Sequence, residues 1–183
     1  MADNLPDARP AEGVVFRHSV EALLNQVIKR RNLMTPGELR EFNLEKPRDV
    51  GRDDWERLLR LLARKLTPDG TEAAGLEVLG REILIGYFDG LVGRGVFMVL
   101  KLLGPRRALL RMAENFETAD NMTKVYPKEL SPTHIELLFN DIGKMPTYVR
   151  GILIYALGEL GQPNAKVTFE ERADGYTRFD VSW

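Results

Sequence analysis

The residues of this chain best suited to chemistry are cations. From Gly90 to Ala113 there is no Asp or Glu, whereas Arg94, Lys101, Arg106, Arg107 and Arg111 all fall in that stretch. Guanidinium groups hold carboxylates and phosphates through paired, charge-assisted hydrogen bonds. Arg107 and Arg111 share a helix face at i, i+4, and Arg106 and Arg107 open a predicted helix, where backbone N–H groups attract anions. With Tyr87 ahead of them and Asn115 beyond, they make a candidate ligand-binding set of Tyr87, Arg94, Arg106, Arg107, Arg111 and Asn115. The competing reading is a solvated face whose counter-charges come from Glu114 and from elsewhere in the fold.

Other chemistries find less support. His18 and His134 are far apart, and neither has a second ligand at helical spacing, so no metal site is expected. The absence of cysteine removes disulfides, thiolate ligands and thiol nucleophiles. Ser19, Ser131 and Ser182 lie in no nucleophile elbow. Gly90-x-x-Gly93-x-Gly95 lacks the Gly-Lys-Ser/Thr ending of a phosphate loop and reads better as a close helix approach or a helix break. No catalytic set and no cofactor are expected.

The elements that must position these residues follow from apolar spacing. Residues 1–13, with prolines and acids, read as a mobile tail. Val14 to Asn32 has helical spacing through Phe16, Val20, Leu23, Leu24, Val27 and Ile28. A short helix from Pro36 to Phe42 follows. Asp53 then caps a helix with the stripe Trp55, Leu58, Leu59, Leu62 and Leu66, stopped by Thr67-Pro68-Asp69-Gly70. Thr71 opens the next helix, through about Tyr87. Val96 to Leu103 is nearly all apolar and predicts a helix buried on most faces; Gly104-Pro105 breaks it, and another runs from Pro105 to about Phe116.

Beyond Asn121 the period changes. Met122–Tyr126 and Ile135–Phe139 predict strands, and Pro146–Leu160 a helix stopped by Gly161. In the last segment Val167 and Phe169 alternate, as do Thr177, Phe179, Val181 and Trp183. A three-residue loop, Ala173-Asp174-Gly175, pairs Phe169 with Phe179 and Val167 with Val181. It also places Gly175 at the left-handed position of a G1 bulge. The expected fold class is therefore α+β: a helical N-terminal region packed on a small C-terminal antiparallel sheet of about four strands, with one intervening helix. Residues 14–183 are expected to form a single domain, mainly helical over 14–117.

Composition sets the outer limits. With 183 residues, 44% of them hydrophobic and 29% charged, the chain can bury a sizeable core. A formal net charge of −1 gives no overall attraction to nucleic acid. Met1–Gly13 lacks the basic and apolar regions of a signal peptide, and no apolar stretch approaches the ~20 residues of a membrane span. A cytoplasmic protein is expected.

Two resemblances add to this. Gly86-Tyr87, Gly93-Arg94, Gly104-Pro105-Arg106-Arg107, Arg111 and Asn115, with the helix from Pro146-Thr147-Tyr148-Val149-Arg150-Gly151, resemble the signature of an uncharacterised paralogous family of myxobacteria. That family has no assigned activity, so membership implies no chemistry. The C-terminal run of Ile135–Phe139, Pro146–Gly151, the helix to Leu160 and the hairpin Ala165–Trp183 is similar to haem nitric-oxide-binding domains and their non-haem small-molecule-binding and trafficking relatives. That resemblance implies a Tyr-x-Ser-x-Arg motif for haem propionates, but here Phe139-Asn140-Asp141-Ile142-Gly143 stands in its place. It also implies an axial histidine between His18 and His134, where this chain has none. The expectation is a non-enzymatic, non-haem module for bacterial signalling that senses a small hydrophobic or anionic molecule or binds a protein, as a homodimer. The alternatives are an enzyme or receptor gripping an anion through Arg94, Arg107 and Arg111, or a scaffold without ligand.

Overall fold

Leu58, Leu59 and Leu62 do lie fully buried on one helix face, and they join the helical core of the N-terminal layer. A computed structural model of the chain describes residues 13–183 except Pro47, Gly90, Asp141, Gly143 and Lys144; for residues 91–93, 112–115 and 117–118 it describes the backbone. The expected mobile tail falls, but for Gly13, outside the described residues.

Helix α1 (Arg17–Leu23) continues into a π-helical stretch, Leu24–Lys29. The wider turn brings Leu23, Leu24, Val27 and Ile28 all into the core. Val14–Val15 departs from the helix expected there: it is strand β1, paired antiparallel with β2 (Val50–Gly51). The chain enters α1 extended at Phe16, whose N–H donates to the Ala119 carbonyl, so long-range pairing overrides the local helical period. Helix α2 (Pro36–Glu41) starts at a Thr35/Glu38 capping box. Helix α3 (Arg52–Leu66) is entered through Gly51, not capped by Asp53, which lies in the first turn with Asp54. Helix α4 (Glu72–Asp89) begins at Thr71, whose hydroxyl accepts from Ala74 N–H at 3.2 Å.

Helix α5 (Leu91–Ala119) is two helices fused at Gly104, whose φ of 73° carries the bend expected at Gly104-Pro105. Its first half corrects the expectation of burial on most faces. Leu100 is buried, but Met98, Val99 and Leu102 are 68%, 49% and 89% exposed. The stretch is one wall of the molecule rather than its centre, so only one side meets a neighbour. No single helix among the described residues is long and apolar enough to cross a membrane.

The C-terminal part is a four-stranded antiparallel sheet in the order β3-β4-β6-β5, made of β3 (Val125–Ser131), β4 (His134–Phe139), β5 (Lys166–Glu171) and β6 (Thr177–Ser182). Strand β3 starts later than the expected Met122. The Asp120 carboxylate takes the N–H groups of Met122 at 2.7 Å and Thr123 at 2.6 Å, tying those residues into a turn. Pro127 is tolerated because β3 is an edge strand. The terminal hairpin has the expected register, Phe169 opposite Phe179 and Val167 opposite Val181, and Gly175 has a φ of 86°. The fold is thus α+β as the spacing implies.

Helix α6 (Pro146–Glu159) joins the two parts. Val149, Leu153 and Leu157 pack on the sheet with Ile135, Leu137, Phe139, Phe179 and Val181. Its other side meets α4 through glycines. A side chain at Gly80 would overlap the Tyr148 carbonyl, and one at Gly151 would overlap the Glu77 carbonyl. Two buried cores result, one among the N-terminal helices and one between α6 and the sheet, and Tyr148 packs against both.

Candidate functional site

At the seam of the two cores lies a cavity of about 320 Å³. It is walled by side chains of α1, α3, α4, α5 and α6. Most are apolar: Leu59 of α3, Ile83, Leu84 and Phe88 of α4, Val96, Phe97 and Leu100 of α5, and Val149, Ile152 and Ala156 of α6. The helical period explains the α6 contribution. Val149, Leu153 and Leu157 form the stripe on the sheet, and Tyr148, Ile152 and Ala156 form the adjacent stripe that turns to the cavity. Phe88 and Phe97 stack with ring centroids 4.5 Å apart and hold the first half of α5 against α4.

The polar lining is His18, Ser19, Arg52, Glu56, Asp120, Thr123 and the two tyrosines Tyr87 and Tyr148. Much of it is built into the frame. Ser19 donates its hydroxyl to the Ala119 carbonyl at 3.0 Å, and Asp120 also accepts the Thr123 hydroxyl at 2.9 Å. Arg52 Nε lies 3.1 Å from Met122 Sδ. Tyr148 differs. It is half-buried, it lines the cavity, and its hydroxyl bonds to no described residue. Burial first, and the Asp120 charge second, push its pKa up, so the phenol stays a neutral donor.

The sequence-predicted cations are placed elsewhere. Of the described side chains in that set only Tyr87 lines the cavity. Arg94, Arg107 and Arg111 are exposed, and Arg106 pairs with Glu129 at 2.7 Å, which raises its pKa. The side chain of Asn115 lies outside the described residues. The residues that sequence reasoning missed are Tyr148, Phe88, Phe97 and Asp120. The signal for Tyr148 was its place one position from the apolar α6 stripe, where a polar-tipped aromatic faces a second layer. Glu82 was also missed: it is 6% exposed on α4, and its carboxylate accepts from Arg31 at 2.6 Å and Arg30 at 3.2 Å. Among the described residues no group of three His, Asp or Glu side chains could hold a metal.

This arrangement, a helical layer joined through one helix to a four-stranded antiparallel sheet, is the fold of H-NOX proteins. The chain is similar to an Fe(II) unliganded H-NOX protein from K. algicida, with a TM-score of 0.62 and 12% identity over 91% of this chain and 95% of that one. It is similar also to an oxygen-binding H-NOX domain related to soluble guanylate cyclases, in its oxygen complex, with a TM-score of 0.61 and 14% identity over 89% and 88% of the two chains. A structure described as modulating haem redox potential through protein-induced porphyrin distortion gives a TM-score of 0.63 and 14% identity over 90% and 94%. The chain itself belongs to the family described as Protein of unknown function (DUF2378), whose sequence model matches residues 12–183. No curated protein matches it by sequence.

The histidine and propionate pattern implied by the resemblance to haem domains is missing here. Haem iron is held by histidine, cysteine thiolate, tyrosinate, or methionine beside histidine. There is no cysteine. His18 is an exposed residue at the rim, its ring 6.0 Å from that of Phe16, and His134 sits on the sheet with Nε2 2.9 Å from Asp180. The position the resemblance gives to a propionate motif holds Asn140, a buried clamp that accepts from Lys124 N–H at 2.7 Å and donates to the Met122 carbonyl at 2.9 Å.

Proposed function

We propose that this protein is a small-molecule-binding module that uses the H-NOX fold without haem, taking an uncharged, largely apolar ligand. The observation that carries this is the cavity of about 320 Å³ at the seam of the two cores, within the range of small-molecule sites. Its lining supports the ligand class. Aliphatic and aromatic walls favour an apolar body, and a neutral Tyr148 hydroxyl favours one hydrogen-bond acceptor on it. An anionic ligand gains little net charge here, because Asp120 and Glu56 line the cavity beside Arg52, and Arg94, Arg107 and Arg111 lie outside its wall. Because the ligand would touch both cores, its occupancy would alter how they pack, which suits a sensor.

The test is native mass spectrometry of the full chain purified from its own host, followed by titration of the stripped protein with an uncharged apolar fluorophore such as N-phenyl-1-naphthylamine. A retained non-covalent compound, or uptake at one fluorophore per chain abolished by Ala22→Phe, which enlarges a lining residue of α1, is the expected result. Absence of both a retained compound and stoichiometric uptake would reject the reading and leave the scaffold.

A further inference from the structure

The first half of α5 has two apolar sides, and the cavity accounts for one. At about 100° per residue, Val96, Phe97, Leu100 and Leu103 fall together, and the first three line the cavity. The opposite arc carries Arg94, Met98, Val99, Lys101 and Leu102, all exposed. Burial within the chain therefore does not explain why this outer face is greasy. Its charge is one-sided: the run from Gly90 to Ala113 contains no acid, and neither Arg94 nor Lys101 pairs with a described carboxylate. Lys101 leans its ammonium over Phe97, 4.6 Å from the ring centre, so its stem covers the helix while its head stays at the solvent edge. Beyond the bend at Gly104, Arg107 and Arg111 add two exposed cations.

We propose that this outer face, Arg94, Met98, Val99, Lys101 and Leu102, docks on an anionic lipid bilayer, with the helix lying in the headgroup layer. Long aliphatic side chains projecting from a convex helix insert between lipids, and cations beside them meet lipid phosphates. A second copy of the chain fits less well, since a two-fold contact on this face would bring the same unpaired cations together. The surface is separate from the cavity lining, so the proposal stands whether or not the cavity takes a ligand.

The experiment is flotation of the full chain with vesicles of phosphatidylcholine alone and of phosphatidylcholine with phosphatidylglycerol. Binding is expected to the mixed vesicles, weaker in high salt and much weaker to neutral ones. Leu102→Asp should reduce it by about tenfold or more, and Arg94→Glu with Lys101→Glu by several-fold. These side chains are exposed, so thermal unfolding should not change and the variants remain informative. A Leu102→Trp variant should show blue-shifted fluorescence on the mixed vesicles. Absence of vesicle binding, equal binding to both compositions, or binding untouched by Leu102→Asp would overturn the proposal. So would sedimentation showing a dimer that Leu102→Asp splits, which would assign the face to self-association.

Discussion

At the scale of single residues, burial and charge decide what each polar group can do. Tyr148 is half-buried, neutral and without a hydrogen bond from its hydroxyl to a described residue. Removing that hydroxyl should therefore cost the fold little and the ligand more. Tyr148→Phe is expected to weaken binding of the retained compound by roughly tenfold, the worth of one hydrogen bond, with an unchanged urea midpoint; competition against the fluorophore measures the first. Glu38 acts in the opposite way, entirely through the fold. The Lys65 ammonium at 2.7 Å and the Thr35 N–H and hydroxyl hold its carboxyl down at about 2, against an ordinary 4.5. A carboxyl lowered by folding stabilises fully above its ordinary value and stops doing so as pH falls through its folded one. The wild type should lose stability relative to Glu38→Gln between about 4.5 and about 2, and the two should run parallel above that window in urea titrations at stepped pH. The effect should be small and salt-sensitive, because the group is at the surface.

At the scale of elements, what was legible in the sequence was local. The Phe169/Phe179 register followed from face alternation and the turn chemistry of Gly175, both confined to 19 residues. The Gly104 bend and the Gly161 stop were legible for the same reason: a single residue type fixes the backbone there. What was not legible depended on partners distant in sequence. Val14–Val15 carries a helical pattern yet pairs with Val50–Gly51, and the first half of α5 reads as buried yet turns three apolar residues outward. The α4–α6 contact was also invisible, because Gly80 and Gly151 announce a close approach only once both helices are placed. Each abuts a carbonyl of the other helix, Tyr148 or Glu77. Backbone cannot yield as a flexible side chain can, so Gly151→Ala is expected to destabilise by about 1–3 kcal/mol. Gly158→Ala on the same helix has open space around it and should raise stability slightly. Paired urea denaturation curves check both.

At the scale of the whole molecule, the candidate site lies where the two cores meet, which is why the sequence pointed elsewhere. Charge clusters are visible along a chain, whereas a cavity is made of ordinary apolar residues from five helices and shows no motif. The arginines stood out, and of the described side chains in the candidate set only Tyr87 reached the wall. The placement has a consequence for dynamics. Leu59, Met122 and Met145 of the wall belong to the helical core, and Val149, Ile152 and Ala156 belong to the core over the sheet. A ligand touching both sets stabilises each only while the other is in place, so it couples openings that are otherwise separate. Hydrogen exchange of the stripped protein, with and without a saturating apolar ligand, should show slowing in Arg17–Lys29 and in Pro146–Glu159 together. Amides of the β5–β6 hairpin, on the far side of the sheet core, should change least. Slowing confined to one of the two helical segments would mean that the ligand rests on a single core, and the seam would then transmit nothing between them.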